Sequence, residues 1–303
     1  MVLDKDYDVL GTLGEGTFGK VFKAQHRRTG DQVAVKQIKL GSRSFDEACT
    51  SMELQALKAL RHEFIVRLRE LIRSQQDGSL YFVFEFLDSD LGQLIRRNPR
   101  GVEERLSMEL ARQLFAGLAH MHQMNFLHRD LKPENVLLDS SQKTIRIADM
   151  GQARSLRSRP PFTDYVGTRW YRAPECLLRD RSYSSPVDVW GAGLIFAELL
   201  RGTPLFCGTS SLDQLYKIFV VLGPPGKDWP EFLRLTSAIR FKTPGGAGCG
   251  LERVLPNVAP FLQAFIGEVL VSNPRRRPVA RRCLEHSVFA QLPPLGAERP
   301  DSR

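Results

Sequence analysis

The sequence predicts an α+β fold in two lobes, a small β-rich lobe over residues 1–87 and a larger, mainly helical lobe over residues 88–291. Three observations carry this. Short apolar runs broken by turn residues fill the first 86 positions, the pattern of strands in a twisted sheet. From about Asp90 onward apolar residues recur three and four apart, the spacing of amphipathic helices. His128–Asp139 and the triplet Asp149-Met150-Gly151 are bracketed by apolar, β-rich segments, which puts their polar groups on loops between buried strands. Residues 292–303 form a polar tail without periodicity and are expected to be disordered.

In the small lobe, Tyr7–Leu13 leads into Gly14-Glu15-Gly16-Thr17-Phe18-Gly19-Lys20-Val21. A glycine motif of this spacing that binds a dinucleotide opens a helix. Here an extended run through Val21, Phe22 and Ala24 follows instead, then a turn at Arg28-Thr29-Gly30-Asp31 and a return through Gln32–Lys36. The stretch is therefore a hairpin flap, whose glycines let backbone approach phosphates closely. Lys36 ends an apolar strand, where a charge needs a partner. A helix expected over about Phe45–Leu60, with Leu54, Leu57 and Leu60 facing inward, offers Glu53. Two further strands, Val66–Arg73 and Leu80–Phe86, flank a turn at Asp77-Gly78. The hinge between lobes falls at Glu85-Phe86-Leu87, with Phe84 bounding the back of an adenine-sized pocket.

In the large lobe, Ala111, Leu114, Phe115, Leu118 and Met121 mark one face of a helix over Met108–Met121, a core stripe and not a cofactor box. Ser185-Pro186 is a helix start, Ser as cap and Pro in the first turn. The apolar helix that follows is expected at the lobe centre, with Asp188 anchoring backbone of the polar loop. Leu212–Leu222 is a further amphipathic helix, ended by Gly223-Pro224-Pro225-Gly226, and Thr243–Gly250 is a loop. There is no internal repeat.

Transfer of a phosphoryl group needs a carboxylate to orient the attacking hydroxyl, a cation against the moving phosphate and oxygen ligands for magnesium. Asp130, Lys132, Asn135 and Asp149 supply these in that order, with Pro133 fixing the turn between Lys132 and Asn135. The net charge of +9 raises nucleic acid as a partner, but the only dense basic cluster is Pro274–Pro278 with Arg281-Arg282, and no basic helix is interleaved with aromatics. That argues against nucleic acid and for ATP, phosphorylated segments or acidic partners. The five cysteines at 49, 176, 207, 249 and 283 form no C-x-x-C pair, which fits a reducing compartment. The N-terminus lacks an apolar signal core, and the most apolar stretch, Val189–Leu200, carries Glu198 and is too short to span a bilayer. An intracellular, soluble monomer without membrane insertion is expected.

With these residues placed, nearly the whole chain resembles the eukaryotic protein kinases: His128-Arg129-Asp130-Leu131 with Asn135 is similar to their catalytic loop. Thr168-Arg169-Trp170-Tyr171-Arg172-Ala173-Pro174-Glu175 resembles the group of MAP kinases and cyclin-dependent kinases. Ser44–Glu47, Ser158–Tyr165 and Ser182–Pro186 resemble the male germ cell-associated and intestinal-cell kinase branch, which acts on cilia and flagella. The resemblance implies a two-lobed protein-kinase fold whose N-lobe helix is regulatory. It implies a serine/threonine kinase with ATP and Mg2+ as cofactors, protein substrates, an upstream activating kinase, and cytoplasmic, ciliary and nuclear locations. Gly14, Gly16, Gly19, Val21, Ala34, Lys36 and Leu137 would enclose ATP, and backbone of Glu85 and Leu87 would bind adenine. Asp130 would orient the acceptor hydroxyl, Lys132 steady the γ-phosphate, and Asn135 and Asp149 hold magnesium. Glu53 would hold Lys36, Thr168 would hydrogen-bond to Asp130 and Lys132, and Glu175 would pair with Arg277.

The resemblance also implies proline directly after the acceptor, arginine three residues before it, and a switch at Thr163-Asp164-Tyr165. There Thr163 would be phosphorylated by another enzyme and Tyr165 by the kinase itself, with Arg129, Arg169 and Arg172 receiving the phosphates. One departure is Met150, where the family usually has Phe; Met is apolar and adaptable, and Asp149 beside it is kept. Two rival readings are a nucleotide-binding scaffold without turnover and a cyclin-dependent enzyme. The retained chemical residues oppose the first, and the lack of a cyclin-binding signature in the regulatory helix opposes the second.

Overall fold

The computed structural model describes residues 2–4, 6–16, 19–38, 50–74, 79–158 and 168–295. In the small lobe, strands β1 (Val2–Asp4), β2 (Tyr7–Gly16), β3 (Gly19–His26), β4 (Gln32–Ile38), β5 (Leu68–Arg73) and β6 (Leu80–Glu85) form one sheet in the order β1-β2-β3-β4-β6-β5. Every pairing in it is antiparallel. Alternation sends Phe22, Ala24, Val33 and Val35 into a small core with Tyr7, Ile72, Tyr81 and Val83. The sheet curls strongly enough for Tyr7 on β2 to donate a 2.7 Å hydrogen bond to Glu70 on β5, with three strands between them in the sheet order.

Among the described residues one helix, α1 (Met52–Ala59), packs on this lobe with Leu54 and Leu57 buried and Leu60 just beyond it. It starts later than the expected Phe45, because the Ser51 hydroxyl accepts from Leu54 N and caps it there. Of the expected helix, residues 45–49 lie outside the described residues, as does the Asp77-Gly78 turn. Strand β5 also begins two residues later than expected. The Val66 amide donates to the Ile147 carbonyl and the Ile147 amide to Phe64, so this segment ties the small lobe to the large one. Strand β1 was not expected.

The large lobe contains β7 (Ser89–Asp90), α2 (Leu91–Arg97), α3 (Glu104–Gln123), β8 (Phe126–Leu127), β9 (Val136–Leu138), β10 (Ile145–Ile147) and β11 (Arg154–Ser155). It continues with α4 (Pro174–Leu177), α5 (Pro186–Arg201), α6 (Ser211–Leu222), α7 (Glu231–Ala238), α8 (Leu251–Val254), α9 (Pro260–Val269) and α10 (Ala280–Leu284). The expected α3 stripe is buried, and every residue of α5 from Val187 to Leu199 is buried at the lobe centre. Phe115, Phe196, Phe265 and Phe289 join α3, α5, α9 and the turn after α10, with ring centroids 5.4–6.5 Å apart.

Ser185 precedes α5 as expected but does not cap it: its backbone is already helical and its side chain makes no capping bond, which leaves Pro186 to set the first turn. Residues 292 and 293, expected to open the polar tail, are held by the fold. Leu292 is buried, and the carbonyls of Leu292 and Pro293 accept from Arg112 of α3; residues 296–303 lie outside the described residues. Among the described residues no helix is long and apolar enough to cross a membrane.

Candidate active site

Alternation on β4 that buries Val33 and Val35 turns Ala34 and Lys36 to the opposite, half-buried face. Register places Val21 across from both Lys36 and Gly14, and Ala34 across from Phe84. The Lys36 ammonium lies 2.7 Å from Glu53 Oε1 and 2.9 Å from Asp149 Oδ1. Burial opposes the charge on Lys36, but Asp149 and Glu53 outweigh it and its pKa is raised. Burial likewise opposes the Asp149 carboxylate, and the Lys36 ammonium still holds it below the ordinary carboxylate range. The pair is therefore fully ionised near neutrality.

The polar loop is held from beneath. Asp188, buried at the start of α5, accepts from His128 N (2.9 Å) and Arg129 N (2.8 Å), and its other contact is His122 Nε2 (2.9 Å). Burial raises the Asp188 pKa, yet His122, His128 and the Arg129 amide keep it low. Arg129 has φ +69°, uncommon for a residue with a side chain. The Asp188 bonds hold it there, with two from its own guanidinium to Gln152 O (2.7 Å) and Tyr183 Oη (2.6 Å). Asp130 comes next in the chain. Its Oδ2 accepts from Asn135 Nδ2 (3.1 Å) and lies 3.4 Å from Lys132 Nζ.

Asn135 Nδ2 also donates to Asp130 O at 2.7 Å, so the amide nitrogen is committed to Asp130. The Ala148 amide donates to Asn135 O and its carbonyl lies 2.8 Å from His128 Nε2, which stitches the polar loop to the segment entering Asp149. Asp149 is left-handed (φ +59°), and its Oδ1 accepts from Gly151 N. Met150 is 1% exposed and fills its core position as an apolar plug.

Around this centre, Gly14 and Gly16 pair with Val21 and Gly19 in the β2–β3 hairpin. The glycines differ in why they are there. A side chain at Gly14 would meet open space, whereas Gly19 has φ +144° and a Cβ there would run into the Gln37 carbonyl. Gly19 is thus required by the fold itself, and Gly14 leaves room for a ligand. Glu85 ends β6, its carboxylate bonded to the Arg67 amide and Arg146, with Leu87 half-buried just beyond. Leu137 lies on β9 opposite Asp90 and Arg146. An ammonium clamped between carboxylates beside an amide oxygen and an ionised carboxylate fits a nucleotide phosphate with a hard cation. Such a cation takes one or two protein ligands and keeps its other positions for water and phosphate.

Three expectations meet the structure differently. Thr168 is exposed and lines a small cavity with Asp130, yet it makes no hydrogen bond to Asp130 or Lys132 among the described residues. Thr163 and Tyr165 lie outside the described residues. Glu175 and Arg277 do pair, at 2.8 and 3.1 Å, with both side chains no more than 1% exposed. Arg277 also donates to Pro186 O and Val271 O and lies over the Trp190 ring.

Sequence reasoning missed His122, Tyr183, Gln214 and Glu198. His122 and Tyr183 brace Asp188 and Arg129 from distant segments. Gln214 is fully buried in α6, where its amide bonds the carbonyls of Trp170 (3.0 Å) and Phe206 and the amide of Gly208. Its signal was a polar residue on the inward side of an apolar helix. Glu198 Oε2 accepts from the buried Tyr171 hydroxyl at 2.7 Å.

Residues 7–289 match the protein kinase domain. The chain is 42% identical over 292 residues to Serine/threonine-protein kinase MAK of Mus musculus, covering 96% of this chain and 46% of that protein. It is 42% identical over 297 residues to Serine/threonine-protein kinase ICK of Rattus norvegicus, covering 98% and 47%. Identity to Cyclin-dependent kinase F-4 of Oryza sativa subsp. japonica is 40% over 284 residues, covering 93% and 61%. The chain spans about half the length of the MAK and ICK relatives it matches. With a β-rich lobe over a helical one and Lys36, Glu53, Asp130, Asn135 and Asp149 gathered between them, the chain belongs to the protein kinase domain family, on the branch with MAK and ICK.

Proposed function

We propose that this chain is an ATP-dependent kinase that phosphorylates serine and threonine side chains of proteins. The observation that carries it is Lys36, held at 2.7 and 2.9 Å between Glu53 and Asp149 on the face that leads to Asp130. Mg-ATP, when bound, supplies the phosphoryl group and a cation that offsets charge on its oxygens. Asp130 orients the acceptor hydroxyl and takes its proton, and Lys132, 3.4 Å from it, steadies the phosphate oxygens. Asn135 and Asp149 present magnesium ligands. Gly14, Gly16, Gly19, Val21, Ala34 and Leu137 enclose the nucleotide, while backbone of Glu85 and Leu87 receives adenine. Thr168 joins Asp130 and Lys132 in this reading only once the segment carrying it shifts toward them.

Similarity to MAK and ICK supports the finer reading. The kinase is proline-directed and favours arginine three residues before the acceptor. It is switched on by phosphate at Thr163, added by an upstream kinase, and at Tyr165, added by itself. It works as a cytoplasmic and nuclear monomer that regulates cilia or flagella. The test is radiolabelled phosphate transfer from Mg-ATP to a serine, threonine and tyrosine peptide library, with Asp130→Asn as control. Transfer to serine and threonine, strongest where proline follows, is expected. Nucleotide binding without any transfer would refute the catalytic reading. Mass spectrometry of active and Lys36→Arg protein, with kinetics of Thr163→Ala and Tyr165→Phe, tests the switch; full activity in the double variant would rule it out.

A further inference from the structure

The loop after α7 takes no part in the site, yet it carries a sequence that the site as read above would select. Three serine- or threonine-proline pairs occur in the chain: Ser185-Pro186, Thr203-Pro204 and Thr243-Pro244. Three residues before these hydroxyls stand Ser182, Leu200 and Arg240 in turn. Thr243 alone has arginine before it and proline after it, the pattern proposed above for an acceptor.

The structure singles out the same residue. Ser185 is half-buried, with its backbone already helical and its carbonyl accepting from the Asp188 amide, so it cannot extend into a site. Thr203 is exposed but lacks the arginine. Thr243 is exposed beside exposed Lys242, in a stretch without helix or strand. Among the described residues no hydrogen bond ties residues 242–247 to the rest of the protein. A Cβ added at Gly245 or Gly246 would meet open space, so the chain after Pro244 stands clear of the lobe. Arg240 is exposed, and among the described residues its guanidinium forms no ion pair, which leaves it free for a carboxylate on another molecule.

The loop is pinned at both ends. The Phe241 amide donates to the Thr236 carbonyl, and its ring lies 6.0 Å from that of Phe219. At the far end the Cys249 and Gly250 amides donate to the carbonyls of Val220 and Val221. Both anchors belong to the large lobe, which also holds Asp130, so closure of one lobe on the other does not bring Thr243 to its own Asp130. Arg240 is left-handed (φ +54°), so the segment straightens on docking at the expense of the Phe241 bond.

We propose that Thr243 is itself an acceptor for this kinase, phosphorylated by a second copy of the chain. This rests on the kinase reading above and on its preference for arginine and proline. The Thr243 hydroxyl oxygen attacks the γ-phosphorus of ATP held by the second copy, whose Asp130 takes the hydroxyl proton. The bond from that phosphorus to the oxygen bridging the β- and γ-phosphates breaks, and ADP leaves with its electron pair. The phosphothreonine adds about −1.5 to −2 charges beside Arg240 and Lys242 and so cancels the positive charge of this loop.

The test offers Asp130→Asn protein, treated with phosphatase, to the wild type with radiolabelled Mg-ATP, and maps the label by mass spectrometry. Label on Thr243 of the inactive copy, and none on Ser185 or Thr203, is expected. Thr243→Ala in the inactive copy should abolish that label, and Arg240→Gln or Pro244→Ala should each slow it about tenfold. A free peptide of residues 237–247, with and without the same substitutions, presents the sequence without the fold. Label on the peptide but not on the folded copy overturns the proposal, because the loop is then inaccessible. So does a rate that ignores both Arg240→Gln and Pro244→Ala. Label on the wild type's own Thr243 at a rate independent of protein concentration, with none on the inactive copy, overturns the role of a second copy. An unlabelled peptide beside a labelled serine and threonine library overturns the proposal and spares the kinase reading. Failure to label either one would instead sink the kinase reading, and this proposal with it.

Discussion

Lys36 and Asp149, 113 positions apart in the sequence, are joined by a 2.9 Å ion pair that fastens the small sheet to the loop leading from Asp130. Lys36 is shared with Glu53, so one ammonium sets the placement of a strand, a helix and a loop together.

The pair makes stability depend on pH in a definite direction. Lys36, with its pKa raised, contributes stability that is full below the unfolded value of 10.5 and lost as pH rises through the folded value. Asp149, with its pKa lowered, contributes above the unfolded value of 3.8 and loses this as pH falls through its folded value. Lys36→Met leaves Glu53 and Asp149 facing each other without a cation. Urea unfolding should show it less stable than wild type by a steady margin from about pH 5 to 9, narrowing in more acid solution. A margin unchanged down to pH ~3 would mean that the carboxylates do not act as charges here.

Asp130→Asn keeps the size of the side chain and an oxygen for the Asn135 contact at 3.1 Å. Turnover should fall by roughly 10²- to 10⁴-fold, while nucleotide affinity and melting temperature stay close to wild type. A near-normal kcat would remove Asp130 from the chemistry.

Glu175 and Arg277 are both fully buried, so removing one partner strands the other charge. Arg277→Met should cost about 3–5 kcal/mol of folding stability in denaturant titration. Glu175→Leu/Arg277→Met should recover much of that loss, because it is the unpaired charge and not the missing bond that destabilises. A double variant as unstable as the single one would count against this account.

The sequence made visible what local pattern can carry. Lys36 at the end of an apolar strand demanded a partner, and Glu53 lay on the inward side of the next helix. Asp188 at the head of an apolar helix was legible for the same reason, a charge where burial was expected, whereas Glu175 against Arg277 came only from the family resemblance. Contacts that depend on how distant segments pack were not legible. Asp149 as the second partner of Lys36, Tyr183 against Arg129 and the missing Thr168 bond belong to this class. The outward face of α6 misled differently. Its spacing announced an amphipathic helix, but its polar members were drawn inward to the 204–209 loop, which no periodicity reports. The late starts of α1 and β5 follow from single bonds, at Ser51 and Val66, that local propensity does not encode.

Glu198 gives the remaining prediction, because its buried carboxyl bonds the Tyr171 hydroxyl. Burial pushes its pKa up to about 7; the Tyr171 hydroxyl bond opposes this and the nearby Glu134 carboxylate adds to it. A carboxyl that holds its proton longer folded than unfolded makes stability fall as pH rises from the unfolded value, 4.5, toward 7. Above that range both states are ionised and the slope vanishes. Glu198→Gln keeps an acceptor for Tyr171 and cannot titrate. The stability of the wild type relative to Glu198→Gln should therefore drop by on the order of 3 kcal/mol between pH 4.5 and 7 and then level off. Denaturant titration of both proteins across that range measures it directly. A difference that stays flat would mean Glu198 is already ionised in the fold, held so by a Tyr171 bond stronger than its burial. Tyr171 adjoins Trp170, so the same titration should be visible in the tryptophan fluorescence of the native wild type and absent from the variant.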